Sequence, residues 1–178
     1  MRSGLVFWFS GLSGAGKSKL STLAAARLRA EGINVQVLDG DELRAKISLD
    51  LDFSRADIME NNRRIARHCE DMRRSVEVLL VPLISPFQEG RLLARQILSP
   101  GFFEVYVACD LQTVVARDPK GLYARAARGE ITNMIGYTPD SPYQAPDNSD
   151  LVISTTQHYP DQSAAILYDF VMSKFTSV

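Results

Sequence analysis

Residues Gly11 to Ser18 read GLSGAGKS, directly behind the apolar run LVFWFS (Leu5 to Ser10) and ahead of a segment rich in Leu, Ala and Arg. Gly11, Gly16, Lys17 and Ser18 fit G-x-x-x-x-G-K-[ST], and a buried strand before the loop with a helix after it is the context that gives this motif its meaning. Glycines let the backbone wrap until its N–H groups converge on phosphate oxygens, and the following helix adds the positive end of its dipole. Gly11, Ser13, Gly14, Ala15 and Gly16 are therefore expected to cradle a nucleotide, with Lys17 against its β and γ phosphates and Lys19 beside them. Ser18 is the expected Mg²⁺ ligand.

The pattern around the loop repeats strand and helix. Lys19 to Gly32 has apolar positions at Leu20, Leu23, Ala24 and Leu28, with a glycine where a helix cap would sit. INVQVLDG (Ile33 to Gly40) reads as a second strand. Ser54 with Asp57 three residues on is a capping-box pattern in front of a long amphipathic helix that reaches Ser75. VEVLLVPLIS (Val76 to Ser85), FFEVYVACD (Phe102 to Asp110) and LVIST (Leu151 to Thr155) are three further strands. This alternation predicts an α/β fold, a three-layer doubly wound parallel sheet whose ligands sit beyond the strands' carboxyl ends. The 178 residues are read as a single P-loop kinase domain. It carries a lid at about 118–148, most of it the irregular stretch Gly129 to Asp150, dense in Gly, Pro, Asn and Asp.

A net charge of −1 gives no electrostatic reason to expect a nucleic-acid groove or an anionic membrane partner. Neither a signal-peptide pattern nor a membrane-span length is seen, so a cytoplasmic location is expected. Cys69 and Cys109 lie far apart without a CxxC spacing and read as buried, reduced thiols.

Phosphate binding alone does not separate a switch from an enzyme. No guanine-reading NKxD segment is present, and the chain leaves little room for the partner-binding domains of a mechanical ATPase, so a small-molecule kinase is the better class. Transfer to a hydroxyl needs a carboxylate near the acceptor and cations around the moving charge. LDGDELR supplies Asp39, Asp41 and Arg44 at a strand end, placed for Mg²⁺ or acceptor activation. RDPKGLYARAARGE puts Arg117, Lys120, Arg125 and Arg128 ahead of the lid, where cations can clamp the phosphate as it closes.

FWFSGLSGAGKS, LDGDELR, FSRAD…ENNRR, ISPF…R, RDPKGLYARAARGEI and SPYQAPDNSDLVI, in this order, closely resemble the adenylylsulfate kinases over nearly the whole chain. The resemblance implies a nucleoside-monophosphate-kinase-like fold, ATP and Mg²⁺ as cofactors, a homodimer, and phosphorylation of the 3′-hydroxyl of adenosine 5′-phosphosulfate to PAPS. It further implies that Asp41 meets the acceptor hydroxyl and acts as base while Asp39 assists with metal or water. Arg44 and Asn61 match residues that contact the phosphosulfate, and Phe53 matches an aromatic that stacks on its base. Ile84 and Ser85 fall in the loop beside that substrate, and Lys120 with Leu122 in the segment bordering it. Some members of the family carry a phosphorylatable serine at the position of Ser85, a role not assigned to it in this chain.

The chain departs from the family pattern at the acceptor. Ile58 stands where FSxxDR has an arginine, Met134 where NFTG has a phenylalanine, and Gln88 where a basic residue is common. YTPDSPY is also longer than the usual IDDPY. A charged hydrogen bond is worth roughly 1.5 to 3 kcal/mol and a stacked base roughly 1 to 3, so losing both costs on the order of 3 kcal/mol, about a hundredfold in affinity. Two compensations offer themselves. Arg55 lies one turn before Ile58 on the face of Asn61 and is expected to reach the anion, and the Met134 sulfur can cover a base. A rival reading is a different acceptor: some relatives phosphorylate a cytidine diphosphoramidate in surface-polysaccharide pathways, and a pyrimidine with an uncharged terminal amide suits an Ile and a Met. A third is a non-enzymatic ATP-binding switch in which Asp41 is structural.

Overall fold

The computed structural model describes residues 3–177. Its centre is β1 (Leu5–Ser10), six consecutive buried residues, flanked by β3 (Val78–Val81) on one side and β4 (Phe102–Ala108) on the other. Leu5 lies opposite Val78, and Val6 opposite Phe102. With β2 (Val35–Val37) outside β3 and β5 (Leu151–Ser154) outside β4, the order is β2-β3-β1-β4-β5, every pair parallel.

The period of two along β1 divides the core. Leu5, Phe7 and Phe9 point to one face, covered by α1 (Lys17–Ala30) and α7 (Pro160–Thr176). There Phe7 stacks on Phe103 at 5.2 Å and meets the edge of Phe170 at 6.0 Å. Val6 and Trp8 point to the other face, covered by α3 (Arg55–Met72) and α4 (Gln88–Leu98). Each such large apolar side chain, once fully buried, contributes roughly 1.5–3 kcal/mol. A strand apolar on both faces can sit only inside such a sandwich, which brings its carboxyl end and the glycine loop to the middle of the sheet's upper edge.

Element ends are decided by hydrogen bonding. Pro82 has no N–H to continue the ladder, so β3 stops at Val81, four residues before the end of the stretch Val76 to Ser85. β2 is shorter than the apolar run suggests because Asp39 leaves the strand to cap a short helix, α2 (Gly40–Ile47). The Ser54 Oγ accepts the Asp57 N–H at 3.1 Å and caps α3, but the Asp57 carboxylate takes the Ser54 hydroxyl at 2.7 Å, leaving half of the expected capping box. Two further short helices, α5 (Leu111–Arg117) and α6 (Leu122–Ala127), follow β4, and residues 129–150 hold turns but no helix or strand. Cys69 is buried, which pushes its thiol up to about 12. Cys109, expected to be buried as well, is only half-buried, because the end of β4 brings it beside Arg117 at 3.5 Å. Among the described residues no helix is long and apolar enough to cross a membrane.

Candidate active site

The glycine loop closes around its own lysine. At Gly11 a Cβ would lie 2.6 Å from the Val107 carbonyl oxygen, and Gly16 begins α1 at φ +102, so neither position accepts a side chain without strain. Lys17 donates to the carbonyls of Gly11 and Leu12, both at 2.7 Å. Its burial, followed by the charge of Lys120, lowers the ammonium from 10.5 to about 7, against the opposing pull of Asp41 and Asp39. No side chain caps α1, so its first N–H groups are left to an anion.

Asp39 links the loop to α2. Its Oδ2 accepts from the Ser18 hydroxyl at 2.8 Å, and its Oδ1 accepts the Asp41 N–H at 3.0 Å, which makes it the N-cap of α2. The cap places Asp41 in the first turn with its carboxylate exposed and paired with Lys120, which reaches across from the segment between α5 and α6. The Asp118 carboxylate, by accepting the N–H groups of Tyr123 and Ala124, fixes that segment against α6.

One cavity of about 760 Å³ runs from the loop to these groups. Its walls include Ser13, Gly14, Gly16, Lys17, Ser18 and Lys19 on one side. Asp39, Asp41, Arg44, Phe53, Ile58 and Asn61 form another wall, and Ile84, Ser85, Lys120, Leu122 and Met134 close it. The Arg44 guanidinium stacks 4.1 Å above the Phe53 ring and donates to the carbonyls of Leu51 and Asp52. The Asn61 Oδ1 is buried with no hydrogen-bond partner in the protein. Ser85, at φ +42 and 3% exposed, accepts the Trp8 indole N–H at 3.0 Å and the Asn62 amide at 3.1 Å.

Three expected cations are elsewhere. Arg55 does not line the cavity: as the first residue of α3 it pairs with Glu89 on α4 at 3.2 Å and lies 4.4 Å above the Phe87 ring. The expected compensation for Ile58 is therefore not in place. Arg125 and Arg128 both pair with Glu130 at the root of the long loop, where i to i+5 and i to i+2 neighbours satisfy them locally. Arg117 and Ala15 line a second pocket of about 450 Å³ that shares Gly16 and Lys19 with the first. Arg117 donates to the Thr155 carbonyl at 2.7 Å, and Thr155 in turn donates to the Ala15 carbonyl at 2.9 Å.

Sequence reasoning passed over Asn62, and over Thr155, His158 and Ser163, which form the second pocket behind β5. The rule that ligands sit past strand ends applies to β5 as it does to β1, and it was the available signal for the last three.

A parallel sheet in this order, with a lysine-filled glycine loop at β1 and a capped carboxylate pair opposite, defines a P-loop kinase. The chain belongs to the adenylylsulphate kinase family, whose model matches residues 3–154. It is 42% identical over 174 residues to an adenylyl-sulfate kinase of Bacillus pumilus, covering 97% of this chain and 87% of that protein. Against the bifunctional enzyme CysN/CysC of Mycobacterium tuberculosis it is 43% identical over 92% of its own length, and it spans only 27% of that longer relative. The structure of the Mycobacterium tuberculosis APS kinase CysC in complex with AMPPNP and APS superposes with a TM-score of 0.91 at 41% identity, covering 97% of this chain and 99% of that one.

Proposed function

We propose that this chain is an ATP-dependent kinase that phosphorylates the 3′-hydroxyl of adenosine 5′-phosphosulfate to give PAPS. The observation that carries the reading is that Lys17 of the glycine loop and Asp41 at the start of α2 line one cavity of about 760 Å³.

Each residue has a task that its position supports. The loop backbone and the uncapped start of α1 hold the β and γ phosphates, with Lys17 as the counter-charge. The second pocket, between Arg117 and the turn after β5, takes the base of ATP. Ser18 and Asp39 present a hydroxyl and a carboxylate oxygen 2.8 Å apart, hard oxygen donors that would hold Mg²⁺. No cluster of three or more Asp, Glu, His or Cys able to hold a metal occurs among the described residues, which suits an ion that arrives with ATP. Bound there, Mg²⁺ would neutralise charge on the phosphates. Asp41 accepts the proton of the acceptor hydroxyl, and Lys120, released from Asp41 when that hydroxyl arrives, turns to the phosphoryl oxygens. Phe53 stacks on the acceptor base, and Arg44 and Asn61 meet its anionic tail. Residues 118–148 act as the lid that excludes water. The active form is read as a cytoplasmic homodimer.

The deciding experiment is kcat/KM with Mg-ATP for adenosine 5′-phosphosulfate, cytidine diphosphoramidate and plain adenine nucleotides. At least about a tenfold preference for the phosphosulfate is expected. A preference for the cytidine compound would replace the acceptor, and ADP formation that no acceptor stimulates would replace the enzyme with a switch.

A further inference from the structure

We propose that Ile58 is a positioning residue that docks the root of the 129–150 lid onto the body, and does not grip the acceptor's tail. The inference rests on the kinase reading above and names how that site's acceptor wall is held.

Ile58, Phe87 and Ile135 form an apolar cluster separate from the two cores of the sheet, at 7%, 4% and 8% exposure. They come from α3, from the residue before α4 and from the lid, so the cluster is a seam between three parts of the chain. Two hydrogen bonds run beside it. The Gln144 N–H donates to the Pro86 carbonyl at 2.8 Å, and the Gln144 Oε1 accepts the Gln88 N–H at 3.0 Å. Phe87 offers no side-chain cap to α4, so the lid supplies that cap in its place. Arg55, absent from the cavity, lies against the ring of Phe87. The neighbour of Ile135, Met134, is buried in the core on the α1 side, so consecutive lid residues are anchored to different parts of the body.

Within residues 129–150, Glu130 to Ile135 is the stretch that lines the acceptor cavity, so fixing Ile135 fixes that part of the wall. Ile58 borders the cavity as well, but it is only 7% exposed and packs with Phe87 and Ile135, so what it adds to that wall is apolar. Beyond the two P-loop lysines, the cationic side chains lining the cavity are Arg44 and Lys120. Charge for the acceptor's tail therefore comes from α2 and from the segment after α5, while position 58 supplies shape.

The test uses the full chain with Ile58→Ala, Phe87→Ala and Ile135→Ala, singly and with Ile58→Ala/Ile135→Ala combined. Hydrogen exchange is read at Gly136, Tyr137 and Thr138, whose N–H groups donate to carbonyls within the lid. Each single variant is expected to speed exchange there by about tenfold or more. Acceptor KM should rise by about tenfold with kcat and ATP KM within about twofold, and the double variant should resemble the singles because one seam is already open. Ile58→Val, which keeps the fold if the alanine variants lose it, should show the same pattern at smaller amplitude. Wild-type exchange at 136–138 in Ile58→Ala would overturn the proposal. So would an Ile58→Arg variant whose acceptor KM falls while those amides stay protected. If wild type phosphorylates no acceptor the kinase reading fails, and the exchange measurement still decides whether Ile58 docks the lid.

Discussion

Around Lys17 the contacts are made by neighbours in sequence: its ammonium donates to carbonyls six and five residues back, and the glycines that shape the loop lie within the same short segment. Around Asp41 they are made at a distance. Its partner Lys120 is 79 residues away, and Phe53, Asn61, Ser85 and Met134 reach the same cavity from different parts of the fold. On the proposed function, then, the donor side is a local, backbone-built device, and the acceptor side is an assembly of side chains whose relative positions depend on the whole fold. Two of the departures from the family pattern, Ile58 and Met134, line the cavity on the second side, and the glycine loop carries none. At Gly11 and Gly16 the loop backbone has no room or no conformation for a side chain, whereas a wall of side chains can be rebuilt by exchanging them.

Removing Lys17 tests the first half of that contrast and should give the largest effect. Lys17→Met keeps the volume but not the charge, and kcat/KM for ATP should fall by about a thousandfold. Asp41→Asn comes next: kcat should fall by about a hundredfold with the ATP Kd within about twofold. If Asp41→Asn instead weakens ATP binding as strongly as it slows turnover, the two sides are not separable and the comparison breaks. Steady-state kinetics together with calorimetric ATP binding decides.

The pH dependence sharpens the same point. Lys17 titrates near 7 in the unliganded fold, and phosphate favours its charged form. Above pH 7 ATP must therefore bind with uptake of a proton, and its Kd should rise by up to about tenfold per pH unit, while acceptor binding carries no such slope from Lys17. Folding stability runs the other way. Between about 7 and 10.5 the unfolded chain holds a proton that the folded one has lost, so the penalty of burying the charge is fully present below 7 and fades as pH rises to 10.5. Stability should rise across that window in wild type, and Lys17→Met should flatten the rise in a denaturant titration.

The two sides also differ in how far they could be read from the sequence. The strand, the glycine loop and the start of α1 were legible because motif, hydrophobic run and helix signal are contiguous. That the sheet is parallel followed from the alternation of strands and helices, while its strand order came only with the structure. Asp39 was legible as a strand-end carboxylate, but the two hydrogen bonds it accepts, from the Ser18 hydroxyl and from the Asp41 N–H at the start of α2, were not, since no spacing states that a helix begins there. Arg55 shows the limit most clearly. Helical spacing puts it one turn from Ile58, but as the first residue of α3 its side chain can leave toward α4, and Glu89, 34 residues away, is what decides the direction.

That same residue gives the smallest effect and the finest test of the acceptor side. Arg55 and Glu89 are 55% and 69% exposed in their side chains, so their pair is screened by water and contributes well under about 1 kcal/mol, with the contact on Phe87 adding a similar amount. Arg55→Ala should lower stability by about 1 kcal/mol at most and leave the KM for adenosine 5′-phosphosulfate within about twofold of wild type. The measurement pairs a denaturant melt with acceptor kinetics at low and high salt. A selective rise in acceptor KM of about tenfold, lost at high salt, would mean that Arg55 leaves Glu89 and enters the cavity when the anion arrives. The acceptor wall would then be an assembly that completes itself on binding, in contrast to a donor side already complete without its ligand, and the difference between the two halves would be one of timing as well as of construction.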